Sequence, residues 1–317
     1  MFSTFLVVLP VFALIFAGWA ARRIGVLGPA ATTELNRFVV YLALPALLFD
    51  VLAHTKGADL WQPGFIAAFG LSSLLVFVLI LGLHWRRRHR TQGFQLADAA
   101  IDGLNGAYGN TGYVGFPLAT AALGPAALLP TTIATIITVC VIFALAITLI
   151  ETGLQARHGG LKVAGKVARS LALNPLVVAP ILGALVPAFG LSIPVPLETI
   201  LKMLGGAASP CALVALGLFL AQSRALSIAS LIAGLPLIGL KLIAQPALAW
   251  LLAVLVFRLD DFGTHVAVLI AALPTGTGPF MLAEFYRREA ETTSNVILIS
   301  TILAILTVSA YLATIPR

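Results

Sequence analysis

The chain has 317 residues, of which 60% are hydrophobic and 10% charged, with a mean hydropathy of +1.05 and a formal charge of +7. A soluble domain carries about a quarter charged residues, so water is excluded as the main solvent. The basic excess sits in short clusters between apolar runs, without interleaved aromatics, and so excludes a nucleic-acid-binding face.

Taken in chain order, apolar segments span residues 3–21, 36–55, 63–84, 98–122, 126–150, 172–190, 197–221, 228–257, 263–286 and 293–314. About 20 residues cross roughly 30 Å of hydrocarbon at 1.5 Å per residue. The expected fold is therefore all-α, a polytopic membrane protein of ten transmembrane helices. No basic residue precedes the first run, which leads straight into Arg22 and Arg23, so it is read as a retained helix with its N-terminus outside. The connections after segments 1, 3, 5, 7 and 9 then face the cytoplasm. They hold fourteen Lys and Arg: Arg22, Arg23, Arg37, Arg86, Arg87, Arg88, Arg90, Arg157, Lys162, Lys166, Arg169, Arg224, Arg287 and Arg288. The opposite side holds four, Lys56, Lys202, Arg258 and Arg317. That bias follows the positive-inside rule and places both termini outside.

The chain also repeats itself. Gly25 and Pro45 recur as Gly190 and Pro210 at a shift of 165, and a shift of 164 lays Asn110 to Phe116 over Pro274 to Phe280 with matches at Thr, Gly and Phe. Five helices per half is an odd number, so the halves, residues 1–151 and 172–317, are expected as inverted five-helix repeats.

Segment 4 contains four glycines, two asparagines and a proline between Asn105 and Pro117. Glycine costs about 1 kcal/mol and proline about 3 kcal/mol in a helix interior, and broken backbone at membrane depth survives only where protein or a wet cavity satisfies it. Segment 9 repeats the situation at Pro274, Thr275, Gly276, Thr277, Gly278 and Pro279, with Thr277 expected as an N-cap and Pro279 at or near the start of a new half-helix. Two breaks at repeat-equivalent positions point two helix N-termini at the midplane from opposite sides, which is an anion site. Its expected substrate contacts are Asn110, Thr111, Gly112, Pro274, Thr275, Gly276 and Thr277. The bland alternative is two kinked helices packed closely through glycine.

Lys241 lies 17 residues from both Arg224 and Arg258, about 25 Å from either membrane face, too deep to snorkel. It is a candidate substrate contact that faces a cavity, a carboxylate or a bound anion, or else a structurally paired lysine. Asp98, Asp102 and Asn105 share one face of segment 4. For Asp102 and Asn105 two readings stay open, a proton or cation path and plain interfacial solvation; Asp98 is expected to pair within Arg86 to Arg90. Glu284, one turn from Arg287 and Arg288, is an interface residue or a gating and coupling group. Asp50 and His265 sit near helix ends and read as structural. Cys140 and Cys211, both in apolar runs, read as packing. There is no zinc pattern, nucleophile elbow or phosphate loop, and no soluble segment above about 20 residues to hold a nucleotide, so neither an enzyme nor a cofactor is expected.

At these segments the chain resembles the auxin efflux carrier family, in particular its bacterial branch of malonate and related dicarboxylate transporters. The resemblance covers the whole chain and rests on Gly109 to Pro117, on Ala272-Leu273-Pro274 with Ala283-Glu284-Phe285-Tyr286, and on Leu44 to Phe49. The long cytoplasmic loop of the plant carriers is absent, the central connection being residues 151–171, which points to the bacterial branch. The resemblance implies the fold of bile-acid symporters and sodium/proton antiporters: helices 1, 2, 6 and 7 form a scaffold, and helices 3–5 and 8–10 a moving transport domain with crossed broken helices 4 and 9. It implies a secondary transporter of the bacterial cytoplasmic membrane for a small organic anion, malonate- or malate-like. A sodium/proton antiporter or sodium-coupled symporter on the same scaffold is the alternative. The expected partners are that carboxylate, a proton or sodium ion for coupling, and the lipid bilayer, with a homodimer left open.

Overall fold

The computed structural model describes residues 2–56, 59, 61–88, 95–154, 165, 169, 172–222 and 228–315. Arg90, Arg157, Lys162, Lys166, Arg224 and Arg317 of the charge count lie outside them, as do the side chains of Arg87 and Arg88. The described residues form helices α1 (Phe2–Arg23), α2 (Ala31–Ala53), α3 (Pro63–Arg88), α4a (Leu96–Ala107), α4b (Phe116–Leu123), α5 (Pro125–Leu154), α6 (Pro175–Ala188), α7 (Val195–Ala221), α8 (Ile228–Val256), α9a (Asp261–Ala271), α9b (Gly278–Tyr286) and α10 (Ala290–Thr314). No strand is present among them. Six, namely α2, α3, α5, α7, α8 and α10, are long and apolar enough to cross a bilayer unaided. Segments 4 and 9 fall short because each is broken in two, and α6 because it has only 14 residues.

Proline shapes these helices locally. The π-helical turns Val39–Ala43, Thr111–Gly115 and Leu240–Ala244 each end two residues before a proline, Pro45, Pro117 and Pro246. A proline cannot donate to the carbonyl four residues back, and that carbonyl lies inside the preceding turn in all three cases. The relaxed turn is how the helix passes the missing bond.

Packing between helices relies on bare backbone. Lipid tails are as apolar as leucine, so helices associate by close van der Waals approach rather than by leaving water. A Cβ on Gly18 of α1 would stand 2.2 Å from the Val214 carbonyl oxygen of α7, and one on Gly217 1.9 Å from that of Ile15. Gly183 of α6 meets the Phe49 carbonyl of α2 in the same way, at 2.5 Å. Gly18 and Gly183 stand 165 residues apart, and so do Phe49 and Val214. Each contact is therefore the other with the two halves of the chain exchanged. Around this cross of α1, α2, α6 and α7, α3 and α5 flank α4a, while α8 packs on α10.

Candidate functional site

Segment 4 breaks where its glycines and asparagines cluster. Tyr108, at the end of α4a, has extended backbone, and Asn110 then caps the turn Thr111–Gly115 by accepting the Tyr113 N–H on Oδ1 at 3.3 Å. Segment 9 breaks between Ala272 and Thr277. The extended stretches pair antiparallel: the Asn110 N–H donates to Pro274 O at 2.8 Å, and the Gly276 N–H donates to Tyr108 O at 3.0 Å, forming the bridge Gly109–Thr275. Glycine is required at 276 and 278, since a Cβ at either would press into the Tyr108 ring at 2.9 and 2.7 Å. The Thr275 hydroxyl donates to Asn105 O at 2.7 Å, and its N–H donates to Ser300 Oγ at 3.2 Å. The two breaks thus satisfy each other's backbone, as unwound peptide inside a membrane must be satisfied.

A cavity of 130 Å³ opens against this crossover, well above the 10–15 Å³ or so that one water needs. Tyr108, Gly109, Asn110, Thr111, Gly112 and Tyr113 line it from segment 4, Thr277, Gly278 and Met281 from segment 9, and α2, α5 and Asn174–Leu176 close it. Asn110 is 4% exposed, and its Nδ2 has no hydrogen-bond partner among the described residues. Buried donors are rarely left so. Thr277 stands at the N-cap position of α9b as expected, but its side chain makes no capping bond, because its own backbone is already helical. That departs from the expected cap and leaves the hydroxyl for the cavity. Of the expected contacts, Asn110, Thr111, Gly112 and Thr277 line the wall, whereas Pro274, Thr275 and Gly276 form the bridge behind it.

Lys241 also stands behind the wall. It is fully buried on the π turn of α8, and its ammonium donates to Ala271 O at 2.7 Å and Gln245 Oε1 at 2.6 Å. Gln245, one turn on, donates to Ala107 O at 3.3 Å and Ser73 Oγ at 2.9 Å. Ala107 and Ala271 end α4a and α9a, so this pair satisfies carbonyls at both half-helix C-termini, where the dipole is negative and a cation favourable. The bare backbone of Gly109, which lines the cavity, stands beside the ammonium, an ideal Cβ there lying 3.4 Å from Nζ. Gln245 was legible as a polar residue four after Lys241 on one helix face.

A second group of polar side chains gathers at the far end of α4a. Arg288 grips Asp98 with two bonds, Nη2 to Oδ2 at 2.9 Å and Nε to Oδ1. Asp98 therefore pairs across to the turn before α10, which brings Arg288 to it; of its expected partners, the side chains of Arg87, Arg88 and Arg90 lie outside the described residues. Asp102 accepts from His84 Nε2 at 2.9 Å and from Asn105 Nδ2 at 3.3 Å, and the same Asn105 amide donates to Thr293 Oγ1 at 3.0 Å. His84 and Thr293 carry no short-range signal, being 18 and 188 residues from their partners. In the turn, burial first and the Asp102 carboxylate second hold the Glu289 carboxyl above its ordinary range. Glu284 lies elsewhere, on a vestibule of 540 Å³ with Thr32, Asn36, Tyr113, Gln222 and Thr277. Tyr113, Thr277 and Met281 line both vestibule and cavity, and the Tyr113 hydroxyl donates to Asn36 Oδ1 at the junction. A separate vestibule of 430 Å³ is lined by Asp50, Pro117, Thr120, Lys202 and Gly206. His54 lies 3.3 Å from Asp50, one turn away at the same helix end, and His265 of α9a is 3.0 Å from the Tyr311 hydroxyl of α10.

Apolar helices, two mutually satisfied breaks and a small cavity beside them that carries a few polar groups define a membrane transport protein. Comparison with known proteins agrees. The family model described as "Membrane transport protein" matches residues 3–312, and the chain belongs to this family, which includes the auxin efflux carriers. It is similar to the "Putative malonate transporter" of Rhizobium meliloti, with 34% identity over 96% of this chain and 93% of that one. It is also similar to an uncharacterized transporter of Methanothermobacter thermautotrophicus, 28% identical over 94% of both chains. Auxin efflux carrier component 8 of Arabidopsis thaliana is 24% identical over 92% of this chain and 91% of its own. Family and relatives are transporters, not enzymes.

Proposed function

We propose that this chain is a secondary transporter that carries a small organic anion, malonate- or malate-like, across the bacterial cytoplasmic membrane by alternating access. The observation that carries the reading is the Asn110 amide, buried at the crossover with its N–H donors unpartnered and facing a cavity between two half-helix N-termini. Donors and positive dipole ends suit a carboxylate. The Rhizobium relative's name adds malonate as the first candidate. A cation antiporter would carry an acidic group at the crossover; Asn110, Thr111, Thr275 and Thr277 stand there instead.

The wider architecture follows the same reading: ten transmembrane helices in two inverted repeats, with α1, α2, α6 and α7 as scaffold, the rest as the moving body, and both termini outside. The exchanged contacts Gly18–Val214 and Gly183–Phe49 support the repeat. The positive φ of Gly25 (81°) and Gly190 (63°), at the same offset of 165, supports it too. In this orientation the vestibule bearing Glu284 faces the cytoplasm and shares residues with the cavity, and the one bearing Lys202 faces outside and shares none. That is an inward-facing arrangement.

The test is a thermal-unfolding screen of the purified protein with mono-, di- and tricarboxylates. A ligand that binds only the native state at 100 times its Kd stabilises it by about 2.7 kcal/mol. A shift with dicarboxylates that Asn110→Ala removes is expected; no shift with any carboxylate, or an equal one in the variant, rejects the reading.

A further inference from the structure

The group of side chains around Asp102 plays no part in holding an anion at the crossover, yet a hydrogen-bond chain joins it to the crossover. Asp102 bonds Asn105, and Asn105 O accepts from the Thr275 hydroxyl, whose residue is half of the bridge. The group is also one donor short. Asn105 is fully buried, and its Nδ2 serves Asp102 and Thr293, while its Oδ1 has no partner among the described residues.

We propose that Asp102, with His84 and Asn105, is a proton-binding site that couples substrate movement to proton movement in the same direction. This rests on the anion-carrier reading above and adds its coupling ion. Protonation turns an acceptor-only carboxylate into a donor, and the unpartnered Asn105 Oδ1, belonging to the amide already bonded to Asp102, is the acceptor that such a donor reaches when the amide turns over. The proton comes from bulk water and returns to bulk water, and no bond other than O–H or N–H forms or breaks.

The charged groups around Asp102 come from several elements. His84 comes from α3 and Asp98 from α4a itself; Arg288 and Glu289 come from the turn before α10. Arg288 is committed to Asp98 by two bonds. Glu289 adds like charge. Among other elements packed on α4a, α5 brings Glu151, bonded by the Tyr286 hydroxyl of α9b at 2.9 Å, and α10 brings Glu291, bonded by Ser230 of α8 at 3.1 Å. Lys241 of α8 is engaged at the opposite end of α4a. The protonated body carries the anion across with one negative charge fewer, so anion and proton favour each other's binding, and by linkage the effect is reciprocal.

The test uses proteoliposomes with radiolabelled malonate outside and a pH-sensitive dye inside. Malonate counterflow is measured first, because its absence would sink the anion-carrier reading and not the proton site alone. Given counterflow, wild-type uptake should acidify the lumen, and an inward proton gradient should drive accumulation at least tenfold over a collapsed one. Asp102→Asn should keep counterflow and lose both acidification and gradient-driven accumulation. His84→Gln should keep coupling with a displaced pH profile, and it serves as the readout if Asp102→Asn does not fold. Counterflow without acidification, accumulation driven by sodium at constant pH, wild-type coupling in Asp102→Asn, or an unmoved pH profile in His84→Gln overturns the proposal.

Discussion

At the scale of single residues, Asn110 and Lys241 make opposite demands. Asn110 has donors without acceptors, but its Oδ1 caps the turn Thr111–Gly115, so Asn110→Ala should lower stability only by the cost of a lost cap, about 0.5–2 kcal/mol. Its loss of a bond to a charged ligand, about 1.5–3 kcal/mol, should raise the Kd for a dicarboxylate roughly 10- to 100-fold by calorimetry. Lys241 already has acceptors. In Lys241→Met the Ala271 carbonyl and the Gln245 side-chain oxygen are left buried without a donor, which costs about 1–3 kcal/mol and should lower the unfolding temperature in detergent. Because the ammonium stands behind Gly109 and not on the cavity wall, its effect on substrate is one of charge alone. The variant should therefore lose more affinity for a dianion than for a monoanion at fixed ionic strength, and an equal loss would limit Lys241 to holding the crossover together.

At the scale of helices, the decisive contacts are those where backbone meets backbone. Gly217→Ala places a methyl 1.9 Å from the Ile15 carbonyl oxygen, so α1 and α7 must part or tilt. Forcing extra volume into such a contact costs about 1–3 kcal/mol or more. Gly206→Ala, on the same helix with open space around it, is the control. The first should show a clear loss of thermal stability and the second none; equal behaviour would mean that this crossing does not limit stability. Gly18→Ala and Gly183→Ala should resemble each other, as the exchanged contacts require. Thr277→Ala should be harmless to α9b, whose start it does not cap, while weakening anion binding.

At the scale of the whole molecule the claim is orientation. Single cysteines beside Lys56 and Lys202 should react with a membrane-impermeant thiol reagent added outside intact cells, and cysteines beside Arg37 and Arg86 only after permeabilisation. Equal labelling of the two sets would remove the inverted arrangement, and with it the convergence of two helix N-termini on which the anion site depends.

Much of this protein is written in short-range pattern. Apolar runs of membrane length, proline and glycine at Asn110–Pro117 and Pro274–Pro279, and a repeat offset of 165 are local signals, because helix formation in lipid is settled within each segment by its own hydrogen bonds. The helical class, the places where segments 4 and 9 break and the family follow from them. What the breaks do for each other was not legible: the bridge at Gly109–Thr275 and the bond from Thr275 to Asn105 join residues about 170 apart, with no periodicity to mark them. Tertiary structure alone chose the paired reading of Lys241, at the helix ends behind the cavity wall, gave Asp98 to Arg288, and brought His84 to Asp102. The physical reason is common to all three. A polar or charged side chain drawn wholly or partly out of water goes to the nearest partner that packing supplies, and packing, not sequence neighbourhood, decides which one is nearest.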